Sequence, residues 1–140
     1  MRHGSGHRKF QKSTAHTRMM FRNLATSLFR HEGVETTVQK AKELRPIVEK
    51  LITIAREDSL VGRRRAYDYL KDKAVVHKLF AEIGPRFKTR NGGYTRIVRS
   101  RHRMGDAAEM AWISLVERTA PVAKKAAKAD KVKAEEAAAE

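Results

Sequence analysis

The sequence predicts an α+β fold in which about four helices pack against a small sheet of two or three strands. Over residues 14–83, apolar residues recur every three or four positions, which is the period of amphipathic helices. After Pro85 the apolar pattern changes to simple alternation, the period of a half-buried strand. A chain of 140 residues, 41% of them hydrophobic, fits a single domain with a modest core.

The first predicted helix spans Thr14–His31, with Ser13 or Thr14 as its N-cap and Gly33 as its C-terminal stop. One arc of this helix is apolar, and a neighbouring arc carries arginines. The apolar arc consists of Met20, Phe21, Leu24, Ala25 and Leu28. The helix therefore offers one face to a core and another to a charged partner.

A short β-prone segment at residues 34–37 predicts a brief strand before the second helix. The second helix is the strongest in the sequence and is expected over residues 38–57. Thr36 and Gln39 have the spacing of a capping box at its start.

Pro46 falls inside the second helix, on its polar side. A proline there removes the hydrogen bond to the Lys42 carbonyl and bends a helix. The alternative is a helix that begins at Pro46. We favour the bent helix, because Ala41 and Leu44 keep the apolar period before the proline.

Two shorter helices are predicted at Leu60–Leu70 and at residues 74–83. The later helix places its apolar residues on one side: Val75, Val76, Leu79, Phe80 and Ile83. The pair Gly84-Pro85 is expected to end it.

Two strands are predicted in the last third of the domain, at residues 94–99 and 110–116, although the pattern alone also allows a helix at the latter. Turns are expected at Gly92-Gly93 and at residues 104–106. Together these segments predict an antiparallel hairpin joined by a long cationic loop.

The predicted boundaries are a basic arm at residues 1–13, one α+β domain at 14–119 and an Ala/Lys/Glu-rich tail at 120–140. The arm is expected to be extended and ordered mainly by a partner, since Phe10 is its one large apolar residue. The tail lacks an apolar face and is expected to be solvated and at most partly helical. The predicted core comprises Leu24, Leu28, Leu44, Val48, Leu51, Leu79 and Phe80.

The chain carries 31 Lys and Arg against 16 Asp and Glu, a net charge of +15, and the excess lies in two blocks without acids. The N-terminal basic block is residues 1–31, and the central basic block is residues 83–105. Blocks of this kind repel themselves unless a polyanion neutralises them, which favours nucleic acid over an anionic membrane surface. RNA is favoured over DNA, because no helix-turn-helix, zinc finger or leucine zipper is visible.

The candidate RNA contacts come from both blocks: Arg2, His3, His7, Arg8, Lys9, Lys12, His16, Arg18, Arg22, Asn23, Arg86, Lys88, Arg90, Tyr94, Arg96, Arg99, Arg101, His102 and Arg103. Arginine grips phosphate bidentately and stacks on bases. Two of the features have alternatives: Tyr94 is either a stacking ring or a half-buried strand residue, and Gly92-Gly93 is a turn that also lets the backbone approach a phosphate.

Enzymatic and metal chemistry is not expected. The chain has no cysteine, and His3 and His7 have no carboxylate nearer than Glu32 to complete a site. Glu43, Glu49 and Glu57 lie on the polar face of the second helix, without the apolar setting that general acid catalysis needs. We therefore expect no catalytic residues, no metal and no cofactor. No apolar run is long enough for a transmembrane helix, and no membrane is expected as a partner. No homo-oligomer is expected either.

Several sequence blocks resemble the bacterial large-subunit ribosomal protein L-seventeen family over residues 1–118. The most specific are HEGVETT at residues 31–37, KAKELRP at 40–46 and GGYTRI at 92–97. The resemblance implies a cytoplasmic, non-catalytic structural protein of the ribosome. It also implies binding to large-subunit ribosomal RNA and to neighbouring ribosomal proteins near the nascent-chain exit. The alternative is a chromosomal DNA-compacting protein, and a membrane-surface protein is a weaker third.

Overall fold

The computed structural model describes residues 8–118, so part of the predicted arm and the predicted tail lie outside the described residues. The fold is α+β, as predicted. Its elements in chain order are α1 (Thr14–His31), β1 (Gly33–Thr37), α2 (Val38–Ala55), α3 (Leu60–Leu70), α4 (Lys73–Lys78), a π-helical turn (Leu79–Ile83), α5 (Gly84–Arg86), β2 (Thr95–His102) and β3 (Glu109–Leu115).

The ends of α1 are fixed by two polar residues. Ser13 is the N-cap, and its hydroxyl accepts a hydrogen bond from the His16 N–H at 3.3 Å. The expected stop at Gly33 is wrong, because Glu32 is the left-handed C-cap (φ 57°) and Gly33 already belongs to β1. The side chain of Glu32 is held by buried ion pairs, which offset the cost of a left-handed non-glycine residue.

Helix α2 continues through Pro46 and does not begin there, as favoured from the sequence, while the bend at Pro46 stays a prediction. The predicted capping box is wrong. Thr37 is the N-cap and makes no side-chain capping bond, while Thr36 is buried in β1. Because Thr36 belongs to β1, it cannot be the N-cap of a capping box on α2.

The predicted helix end at Gly84-Pro85 is also wrong, since the chain continues through a π-helical turn into α5. A Cβ on Gly84 would lie 2.3 Å from the Ala55 carbonyl oxygen. Glycine here serves the close approach of two helices and does not break one. Pro85 stands in the first turn of α5, where its missing N–H is not needed.

The sheet is antiparallel, with strand order β1-β3-β2. Ile113 of β3 pairs with Val34 of β1 and with Ile97 of β2. The segment at 110–116 is thus a strand and not a helix. The cationic segment after residue 99 is not the long loop that was expected, because β2 runs on to His102 past a register shift.

The core lies between the helices and the inner face of the sheet. Six of the seven predicted core residues are buried: Leu28, Leu44, Val48, Leu51, Leu79 and Phe80. Leu24 is only partly buried at the edge of the core, so that prediction is wrong. The fully buried Phe29, next to Leu28 on α1, was not predicted. The buried face of α1 therefore lies closer to Phe29 than the sequence predicts.

Candidate nucleic-acid interface

The N-terminal basic block is exposed where it is described. Arg2, His3 and His7 lie outside the described residues. The predicted contacts that are cationic and exposed stand on the segment before α1 and on its first turns: Arg8, Lys9, Lys12, His16 and Arg18. Asn23 is also exposed on α1. These predicted residues therefore lie on α1 and on the segment before it.

Residues 8–13 fold back onto the domain and are not an extended arm. The Phe10 ring is partly buried and meets Phe21 edge to face, with ring centroids 5.6 Å apart. The Lys12 N–H donates to the Lys9 carbonyl at 3.2 Å, and the Arg8 Nε lies 3.7 Å from Glu43 Oε1 on α2. The segment therefore contacts both α1 and α2.

Arg22 is held against the domain by its neighbours on α3. Its guanidinium lies 5.7 Å from the centroid of the Tyr69 ring, and Nη2 donates to the Asp68 carbonyl at 3.4 Å. Burial raises the pKa of the Tyr69 hydroxyl, against the opposing effect of Arg22 and Arg18. Arg22 is thus less available to a partner than Arg18.

A cavity of about 620 Å³ lies under the same block. Phe21, Ile47 and Tyr69 contribute apolar lining, and Arg8, Lys9, Lys12 and Arg18 contribute cations. Glu43 adds one acid to the lining, so the cavity combines apolar surface with a mainly positive rim.

The central basic block lies mainly on β2 and its following turn. Its exposed members are Lys88, Arg96, Arg99, Arg101, His102 and Arg103. Arg101 Nε lies 3.3 Å from Glu35 Oε1, and Arg103 Nε donates to Asp106 Oδ1 at 3.0 Å. The Arg103 hydrogen bond lowers the pKa of the Asp106 carboxyl to about 2. Both ion pairs are solvent-exposed, and such pairs contribute little energy.

Two arginines of the central block are engaged within the protein. Arg86 Nη1 donates to Glu32 Oε2 and to the Glu117 carbonyl, each at 2.9 Å. Arg90 Nε donates to Glu117 Oε1 at 3.3 Å in a half-exposed pair. Arg86 therefore has a structural role that its position in a basic block did not reveal.

Tyr94 does not present its ring to a partner. The side chain is 2% exposed, and its ring meets Phe87 edge to face at a centroid distance of 5.3 Å. Its hydroxyl accepts a hydrogen bond from Arg56 Nη1 at 3.1 Å. A buried ring cannot stack on a base, so this predicted contact is not supported. Gly92 and Gly93 form the expected turn, with φ of 128° and 65°.

Both basic blocks contact α2. Arg8 pairs with Glu43, whereas the Thr95 hydroxyl at the start of β2 donates to Glu49 Oε1 at 3.0 Å. Six residues along a helix correspond to about 9 Å of rise and about 120° of rotation. The blocks thus flank α2, and their joint contact with one RNA surface stays a prediction.

The sequence reasoning missed an exposed aromatic residue on the sheet. Trp112 is 40% exposed, and the Arg118 guanidinium lies 5.8 Å from its ring centroid. Alternation could have found it, because Ala111 and Ile113 are buried on the opposite face of β3.

Within residues 8–118, no helix is long and apolar enough to cross a bilayer. The same residues contain no cluster of three His, Asp or Glu side chains able to hold a metal ion.

In a comparison with known families, the family model described as Ribosomal protein L17 matches residues 20–116. This match covers well over half of the chain, from within α1 to the end of β3.

Proposed function

Because the chain belongs to the ribosomal protein L17 family, whose members are structural RNA-binding proteins of the large ribosomal subunit, we propose that its two exposed basic surfaces bind large-subunit ribosomal RNA. The family is structural and not enzymatic, so the chemistry to explain is recognition of a polyanion. The observation that carries the proposal is a set of exposed cations without an acidic partner.

Within residues 8–118, six exposed cationic side chains of the two blocks make no ion pair: Lys9, Lys12, Arg18, Lys88, Arg96 and Arg99. Unpaired cations gain most from phosphate, because binding breaks no ion pair within the protein and releases the counterions condensed on the RNA. Arg101 and Arg103 join this surface, since their exposed ion pairs are weak enough to be exchanged for phosphate contacts.

Arg86 and Tyr94 are left out of the proposed contact surface. The Arg86 guanidinium is satisfied by Glu32 and by the Glu117 carbonyl, and the Tyr94 ring is enclosed in the core. The remaining exposed residues of the prediction form the proposed interface. The family resemblance further supports neighbouring ribosomal proteins near the nascent-chain exit as partners, in a cytoplasmic ribosome.

The test is a salt series on the binding of the full chain to large-subunit ribosomal RNA. If about six to ten phosphates are engaged, affinity falls about 10³–10⁵-fold between 50 and 200 mM salt. Replacing Lys12 and Arg18, or Arg96 and Arg99, with alanine is expected to weaken binding and flatten the salt dependence. Lys73→Ala, an exposed charge outside both blocks, is the matched control.

A nearly salt-independent affinity would contradict the proposal. Cofractionation separates it from the DNA-compacting alternative: ribonuclease-sensitive sedimentation with large subunits supports RNA binding, and association with the nucleoid supports the alternative. The double variants are expected to reduce this sedimentation without a change in melting temperature.

A further inference from the structure

The outer face of the sheet, turned away from the helices, carries a single large aromatic side chain. Trp112 stands on the central strand β3, with Glu35 of β1 and Val98 of β2 as its register partners. Because side chains alternate along a strand, these three residues share one face of the sheet. Val98 is largely exposed beside the indole, so the apolar surface continues onto β2.

The indole lies across β1 at the one strand position without a side chain. A Cβ on Gly33 would lie 2.9 Å from Trp112 Cζ2 and 3.0 Å from Nε1. The same position would lie 2.7 Å from Arg118 Nη2. Because Gly33 has no side chain, both the indole and the guanidinium can pack against the backbone of β1.

The charge around the indole is positive on balance. Arg96 pairs in register with Ser114 on the same face, and the Arg118 guanidinium lies over the ring, 5.8 Å from its centroid. The one acid among these register partners, Glu35, accepts hydrogen bonds from Arg101 Nε at 3.3 Å and from the Ser100 hydroxyl at 3.4 Å. The cations Arg96, Arg101 and Arg118 therefore outnumber the one acid among the described residues of this face, Glu35.

We propose that Trp112 is a stacking platform for an unpaired base of the bound RNA, with Arg96 and Arg118 at the flanking phosphates. An exposed aromatic ring on a sheet face, bordered by arginines, has the chemistry by which proteins hold single-stranded nucleotides. A protein partner would also use an exposed Trp, but the surplus of cations around the indole favours a phosphodiester chain. The proposal rests on the proposed function, since it assigns one subsite within an RNA-binding protein.

Trp112 is the only tryptophan of the chain, so its fluorescence reports on this site alone. The full chain is titrated with a labelled single-stranded oligoribonucleotide and with a duplex of equal length, and label anisotropy measures total binding. We expect the single strand to quench the fluorescence strongly and the duplex to quench it little. Trp112→Ala is expected to weaken single-strand binding about 5- to 150-fold, the range for one stacked base.

Two variants keep the test independent of folding. Trp112→Phe retains a ring and is expected to keep most of the affinity that Trp112→Ala loses, while circular dichroism and melting show whether both are folded. Met104→Ala is the matched control, because Met104 is 98% exposed in the turn between β2 and β3 and is not part of the platform. It should bind like the unmodified chain.

Saturable RNA binding with unchanged tryptophan fluorescence, and with a single-strand affinity of Trp112→Ala equal to that of the unmodified chain, overturns the platform and leaves the proposed function standing. Fluorescence that responds only to proteins of the large subunit, and to no RNA, assigns the face to a protein partner and likewise overturns the proposal. Failure of the unmodified chain to bind ribosomal RNA at all would instead refute the proposed function.

Discussion

Glu32 and Arg86, 54 positions apart in the chain, form an ion pair in which Arg86 Nη1 donates to Glu32 Oε2 at 2.9 Å. The side chains are only 7% and 20% exposed, and Lys78 Nζ adds a second cation 3.3 Å from Glu32 Oε1. This cluster joins the left-handed end of α1 to α5 and, through the Glu117 carbonyl, to the chain after β3. Arg86 therefore has a structural role, although it lies in the central basic block.

Removing the arginine tests this assignment. Arg86→Met is expected to lower the free energy of unfolding by about 3–5 kcal/mol, because it leaves the buried Glu32 carboxylate short of a partner. Urea denaturation measures the loss. Lys88→Met, an exposed cation two positions away, is the control and should leave stability nearly unchanged. If the two variants lost equal stability, the buried pair would not have the role assigned to it.

Leu51 tests the core between α2 and its neighbours. Its side chain is buried, so Leu51→Ala is expected to cost about 2–5 kcal/mol through lost transfer free energy and the cavity that remains. Thermal melting of the isolated protein measures the effect, with the exposed neighbour Lys50→Ala as control. An unchanged melting temperature for Leu51→Ala would remove this residue from the core.

Phe10 tests whether the segment before α1 is part of the domain. The sequence alone predicts that deleting residues 1–12 changes RNA binding and not stability, since the arm has little to bury. The contact between the Phe10 and Phe21 rings revises this prediction: Phe10→Ala is expected to cost about 0.5–1.5 kcal/mol beyond simple area effects. Lys9→Ala should leave the melting temperature unchanged and reduce RNA affinity. Equal melting temperatures for both variants would restore the original expectation.

Asp72 caps α4 and provides a pH-dependent contribution. Its Oδ1 accepts hydrogen bonds from the N–H groups of Ala74 and Val75 at 2.9 and 3.2 Å, and the Val75 bond is the main reason that its pKa lies below the ordinary 3.8. Asp72→Ala is expected to cost about 1 kcal/mol at neutral pH. Because the folded-state pKa is lowered, this stability is present above pH 3.8 and is lost as the pH falls through the lowered pKa.

Denaturation at neutral pH and below pH 3 measures the stability that Asp72→Ala loses. This loss should be smaller in acid. Asp68→Ala is the control, because Asp68 is an exposed partner of Lys71 and caps no helix. A loss of stability for Asp72→Ala that stayed constant over this pH range would speak against the capping carboxylate as its cause.

The positions of most helices could be read from the sequence because helix formation follows local periodicity. The spans of α1 and α3 match their predicted bounds, and Pro46 lies inside α2 because the apolar period continues across it. The errors arose where a distant residue changes the local preference. Glu32 takes the left-handed position expected of Gly33, and Gly84 is required by the carbonyl of Ala55.

The candidate site likewise has some features that follow from the sequence and others that depend on the tertiary structure. Net charge and acid-free blocks are properties of the sequence, so the sequence by itself determined the charge of these segments and predicts a polyanionic partner for them. Which cations are free was decided only by the tertiary structure. Arg86 and Lys88 look alike in the sequence, yet only Arg86 meets a buried carboxylate brought from 54 positions away. Sheet packing likewise gives Tyr94 and Trp112 different environments. It encloses the Tyr94 ring in the core and leaves the Trp112 ring on the outer face.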